Sequence, residues 1–236
     1  MNRLLVPLLL PAAVALTVSS AFAEAAPQPP RIVVVGEGEA AVAPDLALLT
    51  LGVMREAATA GEALDAANKA MAEVIAAMKE AGVAERDLQT SGLQVMPRYN
   101  FTNRSDGSQE AQLVGYQVTN TLSVRVRDIA KAGELIDRAV KLGVNQNTSI
   151  AFANDDTGAV LTEARKRAVA DAMGRARTLA EAAGVELGRV LEIVEQPGAA
   201  ALPMVEKTFA RAADAVPIEA GENAYRVQVT VTFELR

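Results

Sequence analysis

Glu37 and Glu39 within Gly36-Glu37-Gly38-Glu39-Ala40, Asp45 a short step beyond them, and the adjacent pair Asp155-Asp156 are the acidic residues whose spacing invites chemistry. Two carboxylates held close together can share general acid and base roles, and neighbouring aspartates offer a hard cation such as calcium or magnesium an all-oxygen site. They would act without the usual helpers, because the 236 residues include no cysteine, no histidine and no tryptophan. Thiol nucleophiles, Ser-His dyads, ordinary zinc sites, histidine-ligated haem and disulfides are thereby excluded. Asp155-Asp156-Thr157-Gly158 also lacks the alternating ligand rhythm and the closing glutamate of a calcium loop. Helix capping explains the same aspartates.

Gly36 and Gly38 suggest a phosphate loop only until the following residues are read. No third glycine follows, and Pro44-Asp45 leads into another apolar run, Leu46 to Val53, where a phosphate loop would open a helix. A β-bulge or a tight strand approach is the expected role of these glycines. Arg165, Lys166, Arg167, Arg175 and Arg177 form a basic stretch, but helical spacing distributes them around the cylinder and makes no single stripe. With a formal charge of -6, the chain also lacks the basic footprint of a nucleic-acid binder. The expectation is no catalytic, cofactor-binding or metal-binding residue, no cofactor, and no enzyme.

The elements that hold these residues follow from patterning. Residues 1–23 have the layout of a cleavable secretory signal: Arg3, an apolar stretch from Leu4 to about Val18, and Ala21-Phe22-Ala23 as the cleavage site. Pro7 and Pro11 interrupt that stretch, so a membrane span is not expected of it or of the mature chain. Residues 24–30 are a proline-rich leader. Strands are expected at Ile32 to Val35 and Leu46 to Val53, joined near Pro44-Asp45. Thr59 and Glu62 have capping-box spacing, and Leu64, Met71, Val74, Ile75 and Met78 recur helically until Gly82.

Leu88 to Tyr99 reads as a strand, Asn100 to Glu110 as a polar hairpin tip, and Tyr116 to Arg127 as an alternating return strand. Asp128 is placed to cap a second helix through Ile129, Leu135, Ile136, Val140 and Leu142, closed by Gly143, before a strand at Thr148 to Ala153. Asp155 or Asp156 is placed to cap the longest helix, whose apolar line is Leu161, Ala164, Ala168, Ala172, Ala176, Leu179 and Ala183. A strand at Val190 to Glu195, a long loop at 197–223 and a regular alternating strand from Tyr225 to Leu235 complete the chain. The sum is an α+β fold, a mainly antiparallel sheet of six to seven strands with about three helices packed on one face. A single domain spans residues 31–236.

Particular stretches carry a family resemblance: Gly-Glu-Gly-Glu followed by Pro44-Asp45, the pair Gly115-Tyr116, Val126-Arg127-Asp128, and Ala164-Arg165 opening the long helix. Together they resemble the SIMPL-domain family of bacterial periplasmic type, which takes in periplasmic immunogenic or outer-membrane proteins and oxidative-stress defence proteins. Gly143-Val144-Asn145-Gln146 departs from the family's more usual Gly-Ala-Asn turn. The resemblance implies a periplasmic protein that forms a homo-oligomer, with envelope association and stress protection among its expected roles, and it carries over no catalytic residue. The alternatives are a binding module for a small ligand, a peptide or an anionic envelope surface, and a carboxylate- or metal-dependent enzyme.

Overall fold

The computed structural model describes residues 29–103, 109–196 and 218–236. The expected signal at 1–23, most of the leader, the centre of the hairpin tip and most of the 197–223 loop lie outside the described residues. In chain order the elements are β1 (Arg31–Val42), β2 (Leu46–Ala57), α1 (Ala60–Glu80), β3 (Leu88–Asn103), β4 (Gln109–Val126), α2 (Ala132–Lys141), β5 (Gln146–Ala153), α3 (Gly158–Ala183), β6 (Leu187–Glu195) and β7 (Asn223–Leu235). Short 3-10 turns at Glu85–Asp87 and Ile129–Lys131 precede β3 and α2.

The class is α+β with antiparallel pairing throughout, but the strands form two sheets where the sequence suggested one. One sheet has the order β1-β7-β6 and the other β3-β4-β2-β5. The reason lies at Ala43-Pro44-Asp45. The chain turns there without forming a hairpin, so β1 pairs with β7 from the far end of the chain while β2 pairs with β4 and β5. Each sheet buries one face under its own helices. α3 covers β1 and β7, with Val34, Val227, Val229, Val231 and Phe233 in their core. α1 and α2 cover the larger sheet over Leu49, Leu51, Leu122 and Val124.

Local signals account for most boundaries. The capping box before α1 is complete: Thr59 Oγ1 accepts from the Glu62 N–H, and the Glu62 carboxylate accepts from the Thr59 N–H. This satisfies amide groups that a helix start otherwise leaves unpaired. Gly82, at φ 91°, then ends α1 in a conformation that disfavours a side chain.

Other positions depart from expectation. Asp128 makes no side-chain cap, because the 3-10 turn intervenes, and it pairs with Lys131. Val140 is 51% exposed, off the buried stripe of Leu135, Ile136 and Ala139 on α2. The buried line of α3 runs Ala164, Ala168, Ala172, Ala176 and Ala180, a strict four-residue repeat, so Leu179 and Ala183 fall outside it. The hairpin tip is narrower than its polar composition suggested, since Asn100 to Asn103 and Gln109 to Glu110 belong to paired strands.

Gly36 and Gly38 sit in an unbroken register with β7, so no bulge exists there. Their role is close approach, and the approaching element is α3. A Cβ on Gly36 would lie 2.2 Å from the Ala168 carbonyl oxygen. Alanine on the helix and glycine on the strand bring the two backbones together. That proximity lets α3 side chains reach over the free edge of β1: Arg175 donates to Val35 O, the Asp171 carboxylate accepts from Glu37 N–H, and Arg167 donates to Glu39 O. An edge strand presents unpaired backbone groups to any passing strand. Here a neighbouring helix occupies them.

Candidate functional site

Alternation along β4, carried one residue past its end, places Arg125 and Arg127 on one side while Val124 and Val126 enter the core. The 3-10 turn before β3 brings Asp87 to them, and the β5-to-α3 connection brings Asp155. Arg127 grips Asp87 through two N–H groups, each 3.2 Å from a carboxylate oxygen, and donates from Nη1 to Asp155 at 2.6 Å. Arg125 donates to the same Asp155 carboxylate and lies within 3.8 Å of Asp87. Asp87 is 5% exposed, so its negative charge needs these guanidiniums. Hydrogen bonding and charge from Arg127, then Arg125, hold the Asp155 carboxyl below the usual carboxylate range. The two carboxylates raise the Arg127 guanidinium further above its already high value.

Asp87, Arg125 and Arg127, but not Asp155, also line a cleft of about 220 Å³ between the end of α1 and the start of α2. Arg86, Lys131 and Asp128, the last paired with Lys131, line it as well, with Val83 and Leu135 among its apolar walls. A carboxylate held between two guanidiniums is a poor base. Among the described residues, no three acidic side chains are grouped as a metal would require.

The acidic residues singled out in the sequence are not brought into one site. Asp155 belongs to the arginine cluster. Asp156 accepts from the Gly158 N–H at 2.8 Å and so serves the start of α3, whose N-cap residue Thr157 makes no side-chain cap. Asp45 accepts from the Asp155 N–H. Glu39 pairs with Arg226 and Glu37 accepts from Gln228, both across the β1–β7 ladder. The basic stretch on α3 is similarly divided: Arg165 pairs with Glu195, Arg167 with Glu163, and Arg175 with Asp171.

Sequence reading missed two features. The Asp87–Arg127–Asp155 cluster joins segments with no shared local pattern. The α3 clasp on β1 did leave a trace, in the four-residue steps from Arg167 to Asp171 to Arg175 opposite a Gly-x-Gly strand.

A second surface stands out by lack of cover. β2 ends at Ala57 opposite Tyr116, so β4 residues 109–115 pair with β3 alone and the hairpin projects as a two-stranded ribbon. Tyr116 packs near Ala63 and Leu64 of α1, but among the described residues the rows beyond it have no such neighbour. Tyr99 opposite Leu113, and Phe101 opposite Ala111, continue the face of Tyr116, with Tyr99 50% and Phe101 62% exposed.

Two antiparallel sheets, each with helices on one face among the described residues, and many paired charges define an α+β protein. The chain belongs to the SIMPL family, described as a protein of unknown function, whose model matches residues 32–233. It is 47% identical over 215 residues to the 26 kDa periplasmic immunogenic protein of Brucella melitensis, covering 89% of this chain and 86% of that protein. It is 30% identical over 227 residues to the uncharacterized protein YggE of Escherichia coli, covering 92% and 87%. No helix among the described residues is long and apolar enough to cross a membrane.

Proposed function

We propose that this chain is an exported, non-enzymatic periplasmic protein that self-assembles, associates with the envelope and contributes to its protection, including against oxidative stress. The observation that carries the reading is uncovered apolar surface. Among the described residues each sheet has helices on one face only, and large side chains such as Val33, Val35, Ile193, Tyr99 and Phe101 are exposed on strands. Contiguous apolar surface beyond a few hundred Å² marks an interaction site in soluble proteins, and closed homo-oligomers are the commonest way to cover it. The secretory pattern of residues 1–23 and the periplasmic relative support the compartment. The absence of a catalytic role is supported by Asp45, Glu37, Glu39, Asp155 and Asp156 each having a structural partner.

Light scattering on the chain from Glu24 to Arg236 at micromolar concentration tests assembly. A particle of at least twice the monomer mass is expected, and a monomer would refute the reading. For protection, a strain lacking the protein should lose survival under peroxide and regain it with the gene restored. Equal survival would remove that part.

The cleft favours a second reading, a binding module for a small anion, because four cations, Arg86, Arg125, Arg127 and Lys131, line it against two carboxylates, Asp87 and Asp128. Calorimetric titration with inorganic phosphate should give heat that Arg86→Ala/Lys131→Ala abolishes. A flat trace with the unaltered protein ends this alternative.

A further inference from the structure

The ribbon differs from the other uncovered surfaces in that it cannot be explained as the back of a stable sheet. Beyond Tyr116 it has two strands and, among the described residues, no helix and no third strand beside them. A two-stranded hairpin is marginal in water on its own and gains stability from packing against something else. One face carries Pro97, Tyr99, Phe101, Leu113 and Ala111 and then the uncharged polar row Asn103–Gln109, and a register shift between Arg98 and Tyr99 inserts the exposed Val114 into β4. The other carries Arg98, Asn100, Thr102, Gln112 and Glu110, and Arg98 pairs there with Glu56 of β2. The ribbon is therefore amphipathic, and its apolar side runs on from the side that α1 buries at Val118 and Tyr116.

We propose that the apolar face of this ribbon docks face to face on the same face of a second copy, related by a two-fold axis. The proposal rests on the self-assembly reading and names the contact. Three observations select this occupant.

First, the face is self-complementary in shape. Alanine stands beside phenylalanine in the Phe101–Ala111 row, which leaves room for a facing aromatic ring, and the Tyr99–Leu113 row supplies bulk beside it. Second, the face bears no charge. An anionic lipid surface or a charged peptide would find no complementary group on it, whereas an identical uncharged face needs none.

Third, the area suffices. Side chains of this kind, about half exposed, offer roughly 500 Å² per copy and about 1,000 Å² for the pair, at the threshold of a specific interface. Docking by the edge of β3 is disfavoured. Its register breaks between Ser91 and Gln94, and Pro97 has no N–H to give, both of which are devices that blunt an edge strand.

The absence of cysteine makes the contact directly readable. Ala111→Cys in the Glu24–Arg236 chain should give a disulfide-linked dimer under mild oxidation, and Asn100→Cys, on the opposite face, should not. Tyr99→Thr/Phe101→Thr, both strand-compatible and exposed, should raise the concentration for half-assembly at least tenfold in sedimentation velocity. Asn100→Ser/Thr102→Ser should leave it unchanged.

The proposal is overturned if Ala111→Cys fails to cross-link an assembled protein, or if Tyr99→Thr/Phe101→Thr assembles as the unaltered chain does. In either case self-assembly itself stands and another surface must carry it. It is also overturned if Tyr99→Thr/Phe101→Thr assembles normally but loses co-sedimentation with phosphatidylcholine–phosphatidylglycerol vesicles, which would make the occupant lipid. A monomeric unaltered chain would remove the assembly reading together with this one.

Discussion

Gly38 of β1 lies so close to Ala164 of α3 that a Cβ on the glycine would sit 2.0 Å from the alanine carbonyl oxygen and 2.3 Å from the Ala168 nitrogen. Both obstructing atoms belong to helical backbone, which cannot step aside as a flexible side chain can. Gly38→Ala should therefore cost about 2–3 kcal/mol through overpacking. At this chain length that corresponds to a melting temperature lower by roughly 4–12 °C. Gly174→Ala is the contrast: no heavy atom lies within 4 Å of that added carbon, and replacing glycine inside a helix should stabilise by about 0.5–1 kcal/mol. Calorimetric melting of both variants checks the pair of signs.

Asp155 imposes a pH dependence. Its carboxyl is held below the usual range by hydrogen bonding and charge from Arg127, with Arg125 adding to both. The unfolded chain therefore takes up the proton first as pH falls. The stabilisation is complete above the ordinary carboxylate range near 3.9 and is lost as pH drops from there through the lower folded value. Asp155→Asn should flatten the acid limb of stability against pH, measured by urea unfolding at a series of pH values, and should lower stability at neutral pH. A limb as steep as that of the unaltered protein would contradict this.

The two arginines should not be equivalent. Arg127 holds buried Asp87 through a two-pronged grip as well as Asp155, whereas Arg125 bonds Asp155 and only approaches Asp87. Removing one partner of a buried pair leaves an uncompensated charge. Arg127→Ala should lower the melting temperature more than Arg125→Ala, and Arg127→Ala/Asp87→Leu should recover part of the loss. Equal single-variant effects would show that Asp87 does not depend on the grip.

Asn154 ties the two sheets together. Its Nδ2 donates to Ala43 O, where β1 hands over to β2, and its Oδ1 accepts from Asn223 Nδ2 and Tyr225 Oη at the start of β7. Asn154→Ala should cost about 2 kcal/mol, because three groups lose a partner at once, and Tyr225→Phe about 1 kcal/mol, because one is lost. Urea midpoints of the two variants test the ratio.

Legibility in the sequence followed the range of each interaction. The Thr59–Glu62 capping box was readable because its partners are three residues apart. The strands at Tyr116 to Val126 and Tyr225 to Leu235 were readable because alternation is a local record of which side is buried. Gly36 and Gly38 were recognisable as a point of close approach, but the approaching element was not, since α3 lies more than 120 residues downstream. Asp155 shows the same limit. Its position before a helix suggested a cap, and the distant arginines of β4 claimed it.

The sequence by itself determined the class of fold, most element positions, the exclusion of thiol and histidine chemistry and the family, because these depend on composition, local periodicity and nearby motifs. Tertiary structure alone decided that the strands divide into two sheets, that Asp155 is held by Arg125 and Arg127, and that no other described element covers the ribbon's apolar face. Each of those depends on which distant segments meet. Meeting is settled by summed packing and pairing over the whole chain, and no single stretch of residues encodes it.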